Sequence, residues 1–558
     1  MRDKRQAARH ANRRIRLLLL VFGLMFAALF GRAVWLQAIQ ASSLERLADT
    51  QHRVTVSLPA GRGTIFDRAG VPLAIGTQAT TVYADPRRVR NSWEVALAAG
   101  RALHLEPDDL YAQLADRRRR FVYVARQSDR AGAETLRAQN LPGLGFYPEE
   151  RRIYPQNDVG AHVVGYAGVD NRGLAGVERQ FDAVLAGASG SETYVREPTG
   201  RAVEVVRRVV PREGRDVHLT LDRLIQANAE QALRRTVQKW QAKAATAIVL
   251  DPRTGGILAM AAVPRFDANR FDETSPDVSR NRAVTDTYEP GSTFKVVTVA
   301  AVLAHRMVTP QTGFTLAPSI EVADRVIKES ERDYTKWMTV ADIVAESSNV
   351  GAVTLAQRLG PDLLSRWIQR FGFGRRTGVD FPGETPGIVP ALVGWSGSTI
   401  GTLPIGHGIG VTPVQMAAAY GAIASGGVWR RPHLVERIEG EPAVRPEHRR
   451  VMPQRVARQL LDMLRGVVTR GSGEAAAVAG YRVAGKTGTA AKPDDRGYSH
   501  TRYVASFVGV VPASKPRFVI LVAVDEPQGA IWGGKVAAPA FAEIARFDLQ
   551  YAGVAPDG

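Results

Sequence analysis

Tyr288-Glu289-Pro290-Gly291-Ser292-Thr293-Phe294-Lys295, running into Val296-Val297-Thr298-Val299-Ala300-Ala301-Val302-Leu303, decides how the chain is read. Pro290 and Gly291 make a turn, and the apolar run after them reads as a buried helix. Ser292 then falls on the first helical turn, where unpaired backbone N–H groups create a positive potential suited to a developing oxyanion. Lys295 follows one turn later on the same face, so its amine can lie beside the serine hydroxyl. A lysine desolvated against apolar neighbours can lose its proton near neutral pH, which makes Lys295 a candidate base for Ser292. Taken alone, the octapeptide fits a serine that caps a core helix and a solvated lysine at least as well.

Two downstream motifs reverse that balance. Ser347-Ser348-Asn349 and Lys486-Thr487-Gly488-Thr489 complete, in chain order, the set S-x-x-K, S-x-N and K-T-G that marks penicillin-recognising serine acyl-enzymes. If the three converge, Ser292 Oγ attacks a carbonyl, Lys295 as the free amine takes its proton, and Ser347 passes that proton to the departing amine. Asn349, with an amide donor and acceptor, can hold Lys295 and the peptide groups of a substrate. On a strand, Lys486 and Gly488 share a face, and Gly488 would leave room for a substrate backbone. Lys486 with the hydroxyls of Thr487 and Thr489 suits a terminal carboxylate, and the backbone N–H groups of Ser292 and Thr489 can form an oxyanion hole. This chemistry needs no metal and no organic cofactor. Gly480-Tyr481-Arg482-Val483-Ala484-Gly485-Lys486-Thr487 also satisfies the P-loop pattern. A true P-loop has a strand before the glycine and a helix beginning at Lys-Thr, whereas Glu474 to Ala479 is alanine-rich and Gly488 and Pro493 discourage a helix.

The 558 residues are enough for two or three domains, and 45% hydrophobic with 23% charged residues describe ordinary globular protein. No cysteine is present, which removes disulfides, thiolate metal sites and cysteine nucleophiles from consideration. A net charge of +18 would point to nucleic acid in a cytosolic protein. The N-terminus argues otherwise. Arg2, Lys4, Arg5, Arg9, Arg13, Arg14 and Arg16, against Asp3 alone, precede the uncharged run Leu17 to Phe30, and continuation through Leu36 reaches the ~20 residues of a membrane span. No good small-x-small cleavage site follows, so an uncleaved signal-anchor is expected over 17–36, with residues 1–16 cytoplasmic and the remainder outside. Nucleic acid then drops out as a partner, and the surplus charge suits anionic lipid and wall polymers, with a basic solvated surface that has no partner as the alternative.

Beyond the anchor, 43–52 reads as a short polar helix. Arg62 to Ala74 reads as a strand, a turn at Ala69-Gly70 and a second strand. Residues 91–140 read as helical, with Arg117 to Arg120 on a solvated face. Arg151 to Pro155 and Gly160 to Gly168 read as strands, and Gly173 to Asp182 leads into a helix. A boundary is expected near 214. After it come a strand over 217–222, a helix over 223–240 capped by Asp222, and a hairpin of 246–250 with 257–263. Residues 338–372 are helix-rich with Ser347 to Asn349 at a junction. Gly406 to Val411 is a glycine-rich loop ahead of a helix over 412–425, and strands return at 481–489, 503–511 and 517–524. Helices bracketing antiparallel strands define an α+β fold.

The motif set resembles that of the penicillin-binding transpeptidases. Arg280-Asn281-Arg282-Ala283-Val284-Thr285-Asp286 ahead of Glu289-Pro290-Gly291-Ser292, with Ser347-Ser348-Asn349-Val350-Gly351, resembles the monofunctional class B branch. Arg62 to Ala74, Arg152 to Tyr166 and Gly173 to Asp182 resemble its pedestal domain, so the resemblance covers nearly the whole chain after the anchor. It is nearest to the septal, division-specific type, with the elongation-specific type as runner-up. The resemblance implies a mixed α/β pedestal, or dimerisation-type, domain over 37–214 and a transpeptidase domain over 215–558, built of an antiparallel sheet flanked by helices plus an all-helical part. It further implies a peptidoglycan D,D-transpeptidase of the inner cell membrane whose substrates are stem peptides and whose inhibitors are β-lactams. Glycan polymerisation would fall to a membrane-embedded polymerase among the cell-division proteins. A class A β-lactamase would carry an E-x-x-L-N motif after Asn349, and none occurs; β-lactamases also lack a pedestal. A non-catalytic β-lactam sensor or division scaffold is disfavoured by the intact reactive side chains.

Overall fold

A run of apolar residues that begins on good helix formers propagates as one helix, Arg2–Val34, closing in a π-turn over Trp35–Ile39. The computed structural model describes residues 2–40, 53–196, 202–330, 332–495 and 497–558, and the polar helix expected over 43–52 lies outside them. Asn12–Ile39 is long and apolar enough to cross a membrane. Chain contacts divide the molecule into two units, Met1–Ala60 with Ala188–Glu213, and Gly61–Gly187 with Gly214–Gly558. The first holds the N-terminal helix and a three-stranded antiparallel sheet of Arg53–Leu58, Gly190–Arg196 and Ala202–Val209.

The second unit begins with β1 (Ile65–Phe66) and β2 (Pro72–Ala84), joined by the expected turn. Asp67 closes it, its carboxylate accepting the N–H groups of Ala69 and Val71 at 2.8 Å each. Next come α1 (Ser92–Leu103), α2 (Pro107–Ala115), β3 (Val122–Ser128), α3 (Arg130–Ala138) and β4 (Leu144–Ile153). β3 and β4 both pair with β2, and Val82, Val95, Leu114, Val122 and Leu136 form the core between sheet and helices. The continuous helical reading of 91–140 is therefore corrected. Arg117 to Arg120 form an exposed turn, and the alternation Val122-Tyr123-Val124, inward-outward-inward, makes the strand. Gly160 to Gly168 is not a strand either. Gly160 and Gly165 take left-handed φ of 72° and 75°, which bracket a short helix, Ala161–Val164.

The stretches Arg62 to Ala74, Arg152 to Tyr166 and Gly173 to Asp182 meet in a buried ionic knot. Arg62 Nε and Arg152 Nε donate to the two Glu178 oxygens at 2.7 and 2.6 Å, and Arg62 Nη1 reaches Asp182 at 2.7 Å.

β5 (Val217–Leu219) pairs in parallel with β1, and Asp222 caps α4 (Arg223–Trp240) by accepting from Leu224 N and Ile225 N. β6 (Ala244–Leu250) and β7 (Ile257–Val263) form the expected hairpin. After α5 (Lys295–Ala304), the short strands Gly313–Leu316 and Lys336–Thr339 pair with each other and enclose one small hairpin of Ser319–Val322 with Arg325–Lys328, and the chain continues into α6 (Val340–Ala345), α7 (Asn349–Leu359) and α8 (Pro361–Phe371). Then follow α9 (Pro413–Ala424), β8 (Val435–Ile438), α10 (Gln454–Arg470), β9 (Ala484–Asp494), β10 (Gly497–Val511), β11 (Phe518–Asp525) and α11 (Ala538–Tyr551).

The central antiparallel sheet runs β7-β6-β11-β10-β9, leaving β9 as an edge strand. Its two faces are sorted by alternation. Val249 and Ile520 pack with Ile225, Leu233 and Phe541 of α4 and α11, while their neighbours Ile248 and Leu521 pack into the larger core that includes α9. Every residue of α9 is buried, as expected of a helix apolar all round. Its Tyr420 hydroxyl donates to Thr293 O at 3.0 Å and so buttresses the serine turn from below.

Candidate active site

Gly291–Phe294 forms a single 3₁₀ turn, so Ser292 stands one turn ahead of α5 rather than on its first α-helical turn. Gly291 adopts φ 54°, and a Cβ there would lie 3.0 Å from Thr489 O. Ser347 and Ser348 connect α6 to α7, with Ser347 at φ 62°, a strained setting for a residue with a side chain. Ser348 caps α7 by accepting from Gly351 N at 2.9 Å, which leaves Asn349 as that helix's first residue. β9 carries Lys486 to Thr489 through its middle, so no helix begins at Lys486-Thr487 and the nucleotide-loop reading ends there.

All eight residues read from the motifs surround one region. Ser292, Ser347, Thr487 and Thr489 line a cleft of about 780 Å³ together with Glu329, Arg332, Arg470, Ser472, Trp532 and Gly533. Lys295 and Lys486 are buried beneath it, 2% and 0% exposed. The hydroxyl of Ser347 sits between them, accepting from Lys486 Nζ at 2.9 Å and from Lys295 Nζ at 3.3 Å. Lys295 Nζ also donates to Ser347 O and, at 2.8 Å, to Asn349 Oδ1. In this resting arrangement Lys295 faces Ser347 and Asn349, and no hydrogen bond joins it to Ser292.

Burial pushes the Lys295 amine down to about 7, with Glu329 partly opposing the shift. Burial also pulls Lys486 well below its usual range, and the charge of Lys295 adds to that. Two ammonium groups sharing one hydroxyl disfavour each other's charge.

Three expectations about individual residues change. Gly488 does not clear a path for substrate. A Cβ there would meet Ser506 Oγ at 2.4 Å, Pro290 O at 2.8 Å and Thr293 Cγ2 at 3.0 Å, so the missing side chain lets β9 close onto the serine turn. The amide of Asn349 is committed on its donor side, Nδ2 donating to Lys328 O at 3.0 Å and Ser330 Oγ at 3.4 Å. The hydroxyl of Thr489 already accepts from Gly533 N at 3.1 Å, and that of Thr487 is bonded to Ser472 Oγ at 2.7 Å. The Thr487 hydroxyl also accepts from Lys486 Nζ at 3.3 Å, and both threonines line the cleft.

Glu329, Ser472 and Gly533 were not anticipated. Glu329 accepts from Ser348 Oγ and from the N–H groups of Asn349 and Val350 at 2.8 and 3.3 Å, and pairs with Arg332 at 3.0 Å. It lies just beyond the small hairpin that ends at Lys328, a region with no motif signal.

A family model for the penicillin-binding protein transpeptidase domain matches residues 245–546, and one for the penicillin-binding protein dimerisation domain matches residues 57–219. The chain is 34% identical to the peptidoglycan D,D-transpeptidase FtsI of Escherichia coli K12 over 542 residues, 96% of this chain and 91% of that protein. It is 33% identical to the probable peptidoglycan D,D-transpeptidase PenA of Neisseria meningitidis over 560 residues, 98% of this chain and 94% of the relative. The crystal structure of penicillin-binding protein 3 from Mycobacterium tuberculosis, complexed with aztreonam, superposes with a TM-score of 0.72 at 30% identity, covering 90% of this chain and 98% of its own. A dimerisation-domain match followed by a transpeptidase-domain match, in a chain that spans these relatives nearly end to end, means that it belongs to the class B penicillin-binding proteins.

Proposed function

We propose that this protein is a septal peptidoglycan D,D-transpeptidase that cross-links stem peptides through an acyl-enzyme on Ser292 and is trapped there by β-lactams. The observation that supports this best is the convergence of Lys295, Lys486 and the Ser347 hydroxyl at the cleft that holds Ser292.

In the resting site burial disfavours the charged form of both lysines. A stem peptide ending in D-Ala-D-Ala places its carboxylate at Thr487 and Thr489, above Lys486. That negative charge favours the proton on Lys486, and Ser347, bonded to both amines, is the path by which Lys295 gives it up. Lys295, now a free amine, takes the Ser292 proton as Oγ bonds to the penultimate carbonyl carbon. The N–H groups of Ser292 and Thr489 hold the oxyanion. When the C–N bond breaks, the proton passes from Lys295 through Ser347 to the leaving nitrogen and D-alanine departs. An amine on a neighbouring stem then attacks the ester, its proton returns by the same route to Ser292, and a cross-link replaces the lost peptide bond. Asn349 holds Lys295 in place through Oδ1.

The apolar N-terminal helix and its basic flank support a single-pass anchor in the inner cell membrane, with residues 1–16 cytoplasmic, 17–36 spanning, and the pedestal (37–214) and transpeptidase (215–558) domains outside. Glycan polymerisation falls to a membrane-embedded partner among the division proteins. Labelling with fluorescent penicillin tests the chemistry: wild type should form one adduct and Ser292→Ala none, and an adduct surviving in Ser292→Ala refutes it. Localisation in dividing cells tests the septal role, which signal along the lateral wall alone would refute. A C-terminal reporter active only when exported, on a chain retaining Met1 to Leu36, tests the topology.

A further inference from the structure

Glu289, three residues ahead of Ser292, is the meeting point of segments far apart in sequence. Its Oε2 accepts from His407 Nδ1 at 2.8 Å, and its Oε1 accepts from the backbone N–H of Gly408 at 2.8 Å and from the Tyr498 hydroxyl at 3.0 Å. The carboxylate is shielded, its side chain 10% exposed. The rings of His407 and Tyr498 meet edge to face with centroids 5.4 Å apart. His407 and Gly408 belong to the glycine-rich loop, whose Gly406 carbonyl accepts from Gly291 N at 3.2 Å. Tyr498 stands near the start of β10, opposite Pro493 at the far end of β9. One carboxylate therefore joins the serine turn, the loop beside it and the tip of the edge hairpin.

The S-x-x-K, S-x-N and K-T-G motifs assign Glu289 no task. We propose that Glu289 is a positioning residue, which sets the distance between Ser292 and the part of β9 beyond Thr489 where the body of the donor stem lies. This rests on the transpeptidase reading above. A donor whose terminal carboxylate sits at Thr487 and Thr489 and which adds to the edge strand in antiparallel sense runs toward Ala490 and Asp494, advancing about 3.3 Å per residue. That end of the hairpin is exposed at Pro493, Asp494 and Gly497. Lys492 holds it to β11 through Asp525 and Glu526 at 2.8 and 2.7 Å, but those bonds fix it only within the sheet. Its register against Ser292 comes from Tyr498 docking on Glu289. A short donor that ends at Thr489 does not use this register, and a stem-length donor does.

A two-donor comparison tests the proposal. Acylation is measured with an acetylated D-Ala-D-lactate depsipeptide and with a stem-length depsipeptide bearing the same terminus. Tyr498→Phe, a change of one hydroxyl on an exposed hairpin, should slow the long donor about tenfold and the short donor less than about twofold. In a Glu289→Ala background, Tyr498→Phe should have no additional effect, because the hydroxyl acts through the carboxylate. Glu289→Gln should retain most of the rate. Its amide oxygen can accept from Gly408 N and Tyr498 while its NH₂ donates to the other His407 tautomer. Equal slowing of both donors by Tyr498→Phe, additive effects in the double variant, or a Glu289→Gln as damaged as Glu289→Ala would each overturn it. If Glu289→Ala does not fold, the Tyr498→Phe and Glu289→Gln comparison decides alone. Retention of a penicillin adduct by Ser292→Ala would instead sink the transpeptidase reading, a result distinct from all of these.

Discussion

Replacing Thr489 with valine keeps the shape of the side chain and the backbone N–H of the oxyanion hole while deleting one oxygen. That oxygen accepts from Gly533 N at 3.1 Å, and in the proposed site its proton is donated to a carboxylate bound in the cleft that Thr489 lines. Gly533 is buried, so stranding its N–H costs about 1–3 kcal/mol whatever substrate is present. The hydrogen bond to a substrate carboxylate is charge-assisted and contributes a further ~1.5–3 kcal/mol, a factor of roughly ten to a hundred in acylation. The two effects separate if acylation rates are measured for a depsipeptide and for its terminal methyl ester. Both should slow in Thr489→Val through the Gly533 contact, and melting temperature should fall with them. The ratio of carboxylate to ester rates should collapse by about ten- to a hundredfold, and Thr489→Ser should restore it. An unchanged ratio would mean that the carboxylate is held elsewhere.

If Lys295 acts as the proposed free amine, the second-order rate of acylation by penicillin should fall about tenfold per pH unit below 7 and level off above it, since burial places that amine at about 7; a rate still climbing between pH 8 and 10 would remove Lys295 from that role. Asp548 is buried with both carboxylate oxygens lacking a partner among the described residues, and burial together with Asp222 raises its pKa well above the ordinary range. The native state thus prefers Asp548 protonated and loses that stability as pH rises from the usual carboxylate range through the raised native value, so the melting-temperature gain of Asp548→Asn should be larger at pH 8 than at pH 4. A gain independent of pH would show that Asp548 is ionised in the native protein at both. Glu178→Ala leaves the guanidinium groups of Arg62 and Arg152 buried without their shared carboxylate and should cost about 3–5 kcal/mol in urea unfolding; a loss under ~1 kcal/mol would mean that water reaches the knot.

Local chemistry was legible in the sequence wherever a segment's neighbours along the chain determine its conformation. Asp222 ahead of an amphipathic run announced α4, the Asp-Pro-Arg-Thr-Gly-Gly turn announced the β6–β7 hairpin, and the serine pair at the α6–α7 junction was placed correctly. β3 was missed because Arg117 to Arg120 extend a polar, helix-like run up to a strand only seven residues long. The short strands over 313–339 carried no motif, and the pairing of Gly313–Leu316 with Lys336–Thr339 joins segments that do not follow one another along the chain. Within the site, the functional groups were legible, and so was the hold of Asn349 on Lys295 once the motifs were read together. Nothing in S-x-x-K indicates that the lysine will also face Ser347 O, because that contact spans 52 residues.

The correction at Gly488 shows what the motifs leave unsaid. They name the reactive groups, whereas the distances between those groups are set by places where backbones touch. A Cβ on Gly406 would fall 2.1 Å from Gly291 O, and one on Gly488 would fall 2.8 Å from Pro290 O. The serine turn is therefore clamped between the glycine-rich loop on one side and β9 on the other, each at a separation that only glycine permits. Tyr420 supports it from α9 beneath. An oxyanion hole made from one N–H on the turn and one on β9 requires that clamp, since the two donors belong to segments nearly 200 residues apart and share no secondary structure. The glycine of K-T-G thus acts on the enzyme's own geometry. It brings Thr489 to the serine turn, where a Cβ on Gly291 would lie 3.0 Å from Thr489 O.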